Sequence, residues 1–205
     1  MDTADPSDIR VVPANQAPCE DLMTVFGTRG PASGCYCQRY KLAPGEAFST
    51  FPREERAARL RAQTACGDPD ASRTSGLVAY LDGEPVGWCA VEPRPEYFGL
   101  LRVYRTPWEG RQERKDDPGI WAVTCVLVRA GYRKGGIAYA LAEAAVDHAR
   151  RSGAKALEAY PMRAATGHIT WDEIHVGTES IFAAAGMTEV TRPGKRRVVM
   201  RIDFG

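Results

Sequence analysis

The run Ile120 to Val128, IWAVTCVLV, constrains the fold more than any other stretch. It is nearly all apolar and rich in β-forming residues, the composition of a strand buried on both faces. Such a strand belongs at the centre of its sheet. Directly after it comes the loop GYRKGGIA, Gly131 to Ala138, and then Ile137, Leu141, Ala144, Ala145 and His148 recur at helical spacing until Ser152-Gly153 supplies a stop. Ala156 to Tyr160 reads as a second strand, closed by Pro161. Strand, helix and strand within about 40 residues make a βαβ unit, so the two strands are expected to run parallel.

The rest of the chain surrounds this unit. Ile9 to Val12 is a short β run ended by Pro13, and Cys19 to Phe26 is a candidate helix before Gly27 and Gly30 break it. Pro52 followed by Arg53-Glu54-Glu55-Arg56 opens a helix well, with Ala57, Leu60 and Thr64 on one face. Gly76 to Leu81 and Pro85 to Val91 are β runs joined by Asp82-Gly83-Glu84, a strong hairpin signal. Thr178 to Ala185 predicts a last helix, and Met187 to Val190 with Arg197 to Phe204 a closing hairpin. At 205 residues the whole chain, 1–205, is expected to be a single domain with long loops at about 28–50, 92–118 and 163–177.

Composition excludes several classes. With 27 Lys+Arg against 26 Asp+Glu there is no global field to draw in nucleic acid or an acidic membrane. The acidic N-terminus with Pro6 does not resemble a signal peptide, and no apolar run approaches the ~20 residues that span a bilayer, so a cytoplasmic location is expected. The six cysteines are scattered and read as reduced thiols; the pair Cys35 and Cys37 lacks the second close pair a structural zinc would need. Residues 92 to 118 interleave five arginines (94, 102, 105, 111 and 114) with aromatics. Stacking on single-stranded nucleic acid is one use of such a pattern, but in a near-neutral chain a long loop roofing a pocket is favoured over it.

Glycines and cations at a strand–helix junction point to bound phosphate. A P-loop needs Lys and Ser or Thr after its last glycine, whereas Gly136 is followed by Ile137 and Ala138. A dinucleotide fingerprint needs G-x-G-x-x-G after a first strand, and here the strand lies past residue 120 and the glycines are adjacent. What remains is a loop whose backbone N–H groups, with those of the first helical turn and the helix dipole, can hold a pyrophosphate without metal.

At this point the sequence resembles the GNAT superfamily of N-acetyltransferases. Arg133-x-x-Gly136-x-Ala138 matches that family's R/Q-x-x-G-x-G/A motif, placed between the central strand and the main helix, and the element order agrees over nearly the whole chain. The resemblance implies an α/β (α+β) fold with a central mixed, mostly antiparallel sheet, a parallel βαβ unit at its centre and flanking helices. It implies acetyl-CoA as cosubstrate, its pyrophosphate on the amides of Arg133, Lys134, Gly135, Gly136, Ile137 and Ala138, and its pantetheine arm along the main chain of Val126, Leu127 and Val128. Backbone N–H groups near Val126 are candidates for stabilising an oxyanion.

Many family members place a Tyr four residues before the Gly of a late helix to protonate the leaving thiolate; here Phe182 precedes Gly186 and cannot. Three candidates remain for proton transfer. Glu158 lies on the second strand of the βαβ unit and shares a face with Tyr160, with pairing to an arginine as its structural alternative. His175 titrates in the right range and sits in the irregular stretch with His168, Trp171, Asp172 and Glu173. Glu92 ends the second strand of the first hairpin. The expected function is acetyl transfer to a small-molecule amine by direct attack, without metal. A protein N-terminus or lysine as acceptor, a non-catalytic acyl-CoA-binding module, and a homodimer stay open.

Overall fold

Strand pairing follows the chain almost in sequence order. The structure, a computed structural model, describes residues 9–30, 32–102, 105–163 and 175–205. Along the chain lie β1 (Ile9–Pro13), α1 (Cys19–Phe26), α2 (Ala32–Cys35), α3 (Arg53–Thr64), β2 (Gly76–Leu81), β3 (Glu84–Pro93), α4 (Phe98–Arg102), β4 (Ile120–Val128), α5 (Ile137–Arg151), β5 (Ala156–Ala159), α6 (Glu179–Ala184), β6 (Thr188–Thr191) and β7 (Val199–Asp203). The strands form one sheet in the order β1-β2-β3-β4-β5-β7-β6. β4 and β5 pair in parallel, as the βαβ pattern predicts, and the other pairs are antiparallel.

Local chemistry accounts for the main elements. Asp82 and Gly83 both have positive φ, 51° and 81°, which gives the β2–β3 turn the twist that a tight hairpin needs. The apolar stripe of α5, including Ile137, Leu141, Ala145 and Ala149, packs with Ala79, Cys89, Val123 and Leu157 on one side of the sheet. Leu22, Val25 and Phe26 of α1 and Leu60 of α3 cover Val78, Trp88, Ala90 and Cys125 on the other. No described helix is long and apolar enough to cross a membrane.

A β-bulge shapes the middle of β4. Ala90 pairs with Cys125 but Val91 pairs with Val123, so Thr124 is an extra residue on the β4 side. Strict alternation would put Val123 and Val126 on opposite faces, yet both pack in the α5 core. β4 pairs with β5 from Ile120 to Val123, where Val123 faces Ala159. Beyond the bulge the two strands part.

The cysteines correct one expectation. Cys19 and Cys66 form a disulfide, their Cα atoms 5.0 Å apart, so the chain does not hold six reduced thiols. The turn after α3 folds back on the start of α1, where the Gly67 N–H donates to the Ala17 carbonyl at 2.9 Å. A pair 47 residues apart carries no signal in local spacing. Cys35, Cys37, Cys89 and Cys125 remain thiols. Iodoacetamide under denaturing, non-reducing conditions is expected to label these four and, after reduction, two more; six labels without reduction would disprove the bridge.

Candidate active site

The diverging strands open a cleft of about 500 Å³. Its floor is the half of β4 from Thr124 to Val128, and at one end Tyr132, Arg133, Lys134, Gly136, Ile137 and Ala138 line it. The opposite wall comes from Cys35, Cys37, Arg39 and Tyr40. The cleft thus runs from Val126, Leu127 and Val128 to the loop before α5.

The loop is built to approach an anion. Gly136 caps α5 with φ 81°, and Lys134 is also left-handed, φ 69°. The Gly136 carbonyl accepts from the amides of Tyr139 (2.9 Å) and Ala140 (3.1 Å), which starts the helix. N–H groups of the turn before these have no intrahelical acceptor by helix geometry. A Cβ built on Gly136 would meet nothing nearer than Ile9 Cδ1 at 3.9 Å, so the space above the loop is open. Arg133, Lys134 and the positive end of α5 bring charge of one sign to it. These residues fit the diphosphate of a CoA thioester.

Val126 shows an arrangement that spacing did not predict. Its N–H donates to the His175 carbonyl at 2.6 Å, so the amide expected to face an oxyanion is taken by the chain that returns from beyond β5. The same segment bridges Met162 through Thr178. His175 lies at the cleft, its ring 6.2 Å from that of Tyr40. His168, Trp171, Asp172 and Glu173 lie outside the described residues.

Glu92 follows Val91, the β3 residue that pairs with Val123 on one side of the bulge. It pairs in register with Ala122 of β4, is 6% exposed and forms an ion pair with Lys41. Burial pushes its carboxyl above the usual range, and Lys41 opposes that shift only in part. The Lys41 ammonium also sits 5.2 Å over the ring of Tyr97. The hydroxyls of Tyr97 and Thr124 are both buried without a completed hydrogen bond, although each is near enough to influence the other, and Thr124 lines the cleft. Burial and the charge of Glu92 raise the Tyr97 phenol far above its ordinary value, so it stays protonated. Glu92 and the Tyr97 and Thr124 hydroxyls therefore lie close enough to act on one another, and Thr124 reaches the cleft. Sequence reasoning singled out Glu92 alone; the one polar residue inside IWAVTCVLV was the available signal for Thr124.

Glu158 is placed differently. It is fully buried and accepts hydrogen bonds from Arg94 (3.1 Å), Arg201 (3.1 Å), the Tyr160 hydroxyl (3.0 Å) and both Arg111 amino groups. Arg94, itself fully buried, also binds Glu113 at 2.6 Å and lies 5.0 Å from the Trp108 ring. Arg94 and Arg111, two of the five arginines between 92 and 118, therefore turn their charge inward onto Glu158 of β5. Phe182 is fully buried against the α5 core, and His148, its pKa lowered by burial, packs on Trp121.

Comparison with known proteins bears on the family and the fold. Residues 38–167 match the model of the Acetyltransferase (GNAT) family, and the chain belongs to that family. A putative acetyltransferase of Salmonella typhimurium, YncA, solved with its cofactor acetyl-CoA, superposes with a TM-score of 0.50 at 15% identity over 96% of this chain and 94% of that one. PaiA N-acetyltransferase of Thermoplasma acidophilum, solved with coenzyme A, gives 0.52 at 13% identity over 96% and 99%. A GCN5-related N-acetyltransferase of Kribbella flavida gives 0.51 at 15% identity over 98% and 100%. At these identities the likeness is one of fold. No curated protein sequence matches the chain.

Proposed function

We propose that the protein transfers an acetyl group from acetyl-CoA to the amine of a small molecule. The observation that carries this reading is the continuous cleft from the half of β4 that has parted from β5 to the amides, cations and dipole at the start of α5. Its volume lies in the range of small-molecule sites. Arg133, Lys134 and the amides of Gly135 to Ala138 would hold the diphosphate, while Val126, Leu127 and Val128 would lie along the pantetheine. Acetyl-CoA supplies an activated thioester; the chain orients it and removes a proton from the attacking amine.

Glu92 is the base this geometry favours. The amine nitrogen bonds to the acetyl carbon, the carbon–sulfur bond breaks with CoA leaving as its thiolate, and the amine proton passes through the Thr124 and Tyr97 hydroxyls to Glu92. Positioned proton transfer contributes about 10²- to 10⁴-fold, so Glu92→Gln should lower kcat by that order while leaving acetyl-CoA affinity unchanged. Because burial raises the Glu92 carboxyl, the group is protonated in mild acid and gains its basic form as pH rises. The acidic limb of kcat/KM should then lie above the ordinary carboxylate value of about 4.3, and Glu92→Gln should abolish it. An unchanged limb in that variant would remove Glu92 from the chemistry.

A second reading is a non-catalytic acyl-CoA-binding module. Phe182 favours it, since a fully buried phenyl ring stands where a phenol would protonate the thiolate. Release of free thiol from acetyl-CoA with any of a panel of amines decides for the enzyme; tight binding without release across a broad panel decides for the module.

A further inference from the structure

Between α2 and α3 one cation stands where two cavities meet. Arg39 lines the cleft described above and also a second cavity of about 420 Å³, walled by Leu42, Pro44, Phe48 and Phe98. The turn that carries it is fixed on several sides. Tyr36 and Cys37 are both left-handed, φ 46° and 52°, a conformation that non-glycine residues hold only when their surroundings impose it. Buried Gln38 donates to the Tyr36 carbonyl (3.1 Å) and to Gln63 (2.8 Å). From the other side Gly99 presses so close that a Cβ there would stand 3.0 Å from the Tyr40 carbonyl oxygen.

The guanidinium so positioned has no counter-charge of its own. Arg39 is exposed, lies 5.6 Å over the Phe48 ring and makes no ion pair among the described residues. Glu46 is the single carboxylate among the described residues lining either cavity, and Arg59 occupies both its oxygens at 2.6 and 3.0 Å. A planar cation on an aromatic face, in cavities otherwise without free negative charge, suits a bidentate carboxylate.

We propose that the acceptor is an apolar α-amino acid, its carboxylate on Arg39, its amine in the cleft beside Thr124 and its side chain between Phe48 and Phe98. This rests on the acetyl-transfer reading. The three groups radiate from one carbon, as the two cavities radiate from one arginine.

Thiol release is measured with acetyl-CoA and L-phenylalanine, or L-phenylalaninamide, which keeps the amine and ring but lacks the charge. Binding of N-acetyl-L-phenylalanine is measured by calorimetry in parallel. A charged hydrogen-bond pair corresponds to roughly a 10- to 100-fold preference in kcat/KM for the acid over the amide, through KM. Arg39→Gln should erase that preference and the N-acetyl-phenylalanine binding, with acetyl-CoA affinity and melting temperature unchanged. Equal use of acid and amide would overturn the proposal. So would an Arg39→Gln variant whose loss falls on acetyl-CoA binding, which would give the arginine to the cosubstrate. If no amine releases thiol, the catalytic reading fails separately: Arg39-dependent binding of N-acetyl-L-phenylalanine then still upholds the site, and no binding of it rejects the site.

Discussion

Gly136→Trp is expected to abolish acetyl-CoA binding in a protein that remains folded. Gly136 lines the cleft, and a Cβ there has Ile9 Cδ1 at 3.9 Å as its nearest neighbour, so a large side chain has open space to occupy beside the α5 amides. An indole fills the volume a diphosphate needs. Hydrogen bonds to a charged group contribute about 1.5–3 kcal/mol each, so losing two of them weakens binding by about 100-fold or more. The fold loses less. With φ at 81° the substituted residue pays the left-handed penalty of about 1–2 kcal/mol, which lowers the melting temperature by roughly 2–8 °C in a chain of this length. Gly136→Asn separates the two effects, since asparagine tolerates that backbone with a small side chain. Calorimetry with acetyl-CoA reads the outcome, and unchanged affinity in Gly136→Trp would reject the loop as the phosphate site.

The parts of the fold written in local patterns were legible, and those made by distant pairing were not. β4, α5 and the β2–β3 turn announce themselves through apolar runs, helical spacing and Asp82-Gly83, each decided within a few residues. The Thr124 bulge depends on the register between β3 and β4, which neither strand specifies alone. The end of the cleft lined by Tyr132, Arg133, Lys134, Gly136, Ile137 and Ala138 follows from one loop and its helix, so GYRKGGIA carried it. The wall away from that loop brings together Arg39 and Tyr40, Thr124 and His175, from three separate segments, and no spacing rule joins them. Glu158 illustrates the division within one residue. Its strand, and the face it shares with Tyr160, were readable; its partners Arg94, Arg111 and Arg201 lie 64, 47 and 43 residues away.

Glu158→Ala should be the most destabilising single change in the site region, and it should cost stability before catalysis. The carboxylate is fully buried and receives Arg94, Arg111, Arg201 and the Tyr160 hydroxyl. Burial opposes the charge of Glu113 next to it, yet hydrogen bonds from Arg94 and Arg111 outweigh that and hold its carboxyl below the usual range. Without Glu158 three guanidinium groups would face Glu113, with Asp203 reaching only Arg201 at the surface. Arg94 is fully buried and cannot turn to water. Removing one partner of such a buried cluster costs about 3–5 kcal/mol, a fall of roughly 6–20 °C in melting temperature. The cluster also ties the segment around Arg94, Trp108 and Arg111 to β5, so its loss should raise proteolysis there. Assayed well below its lowered melting temperature, the variant should keep kcat within a few fold and keep the acidic limb set by Glu92. A Glu158→Gln protein with wild-type melting temperature and a hundredfold lower kcat would instead make Glu158 the base, with Glu92 left as a structural partner of Lys41.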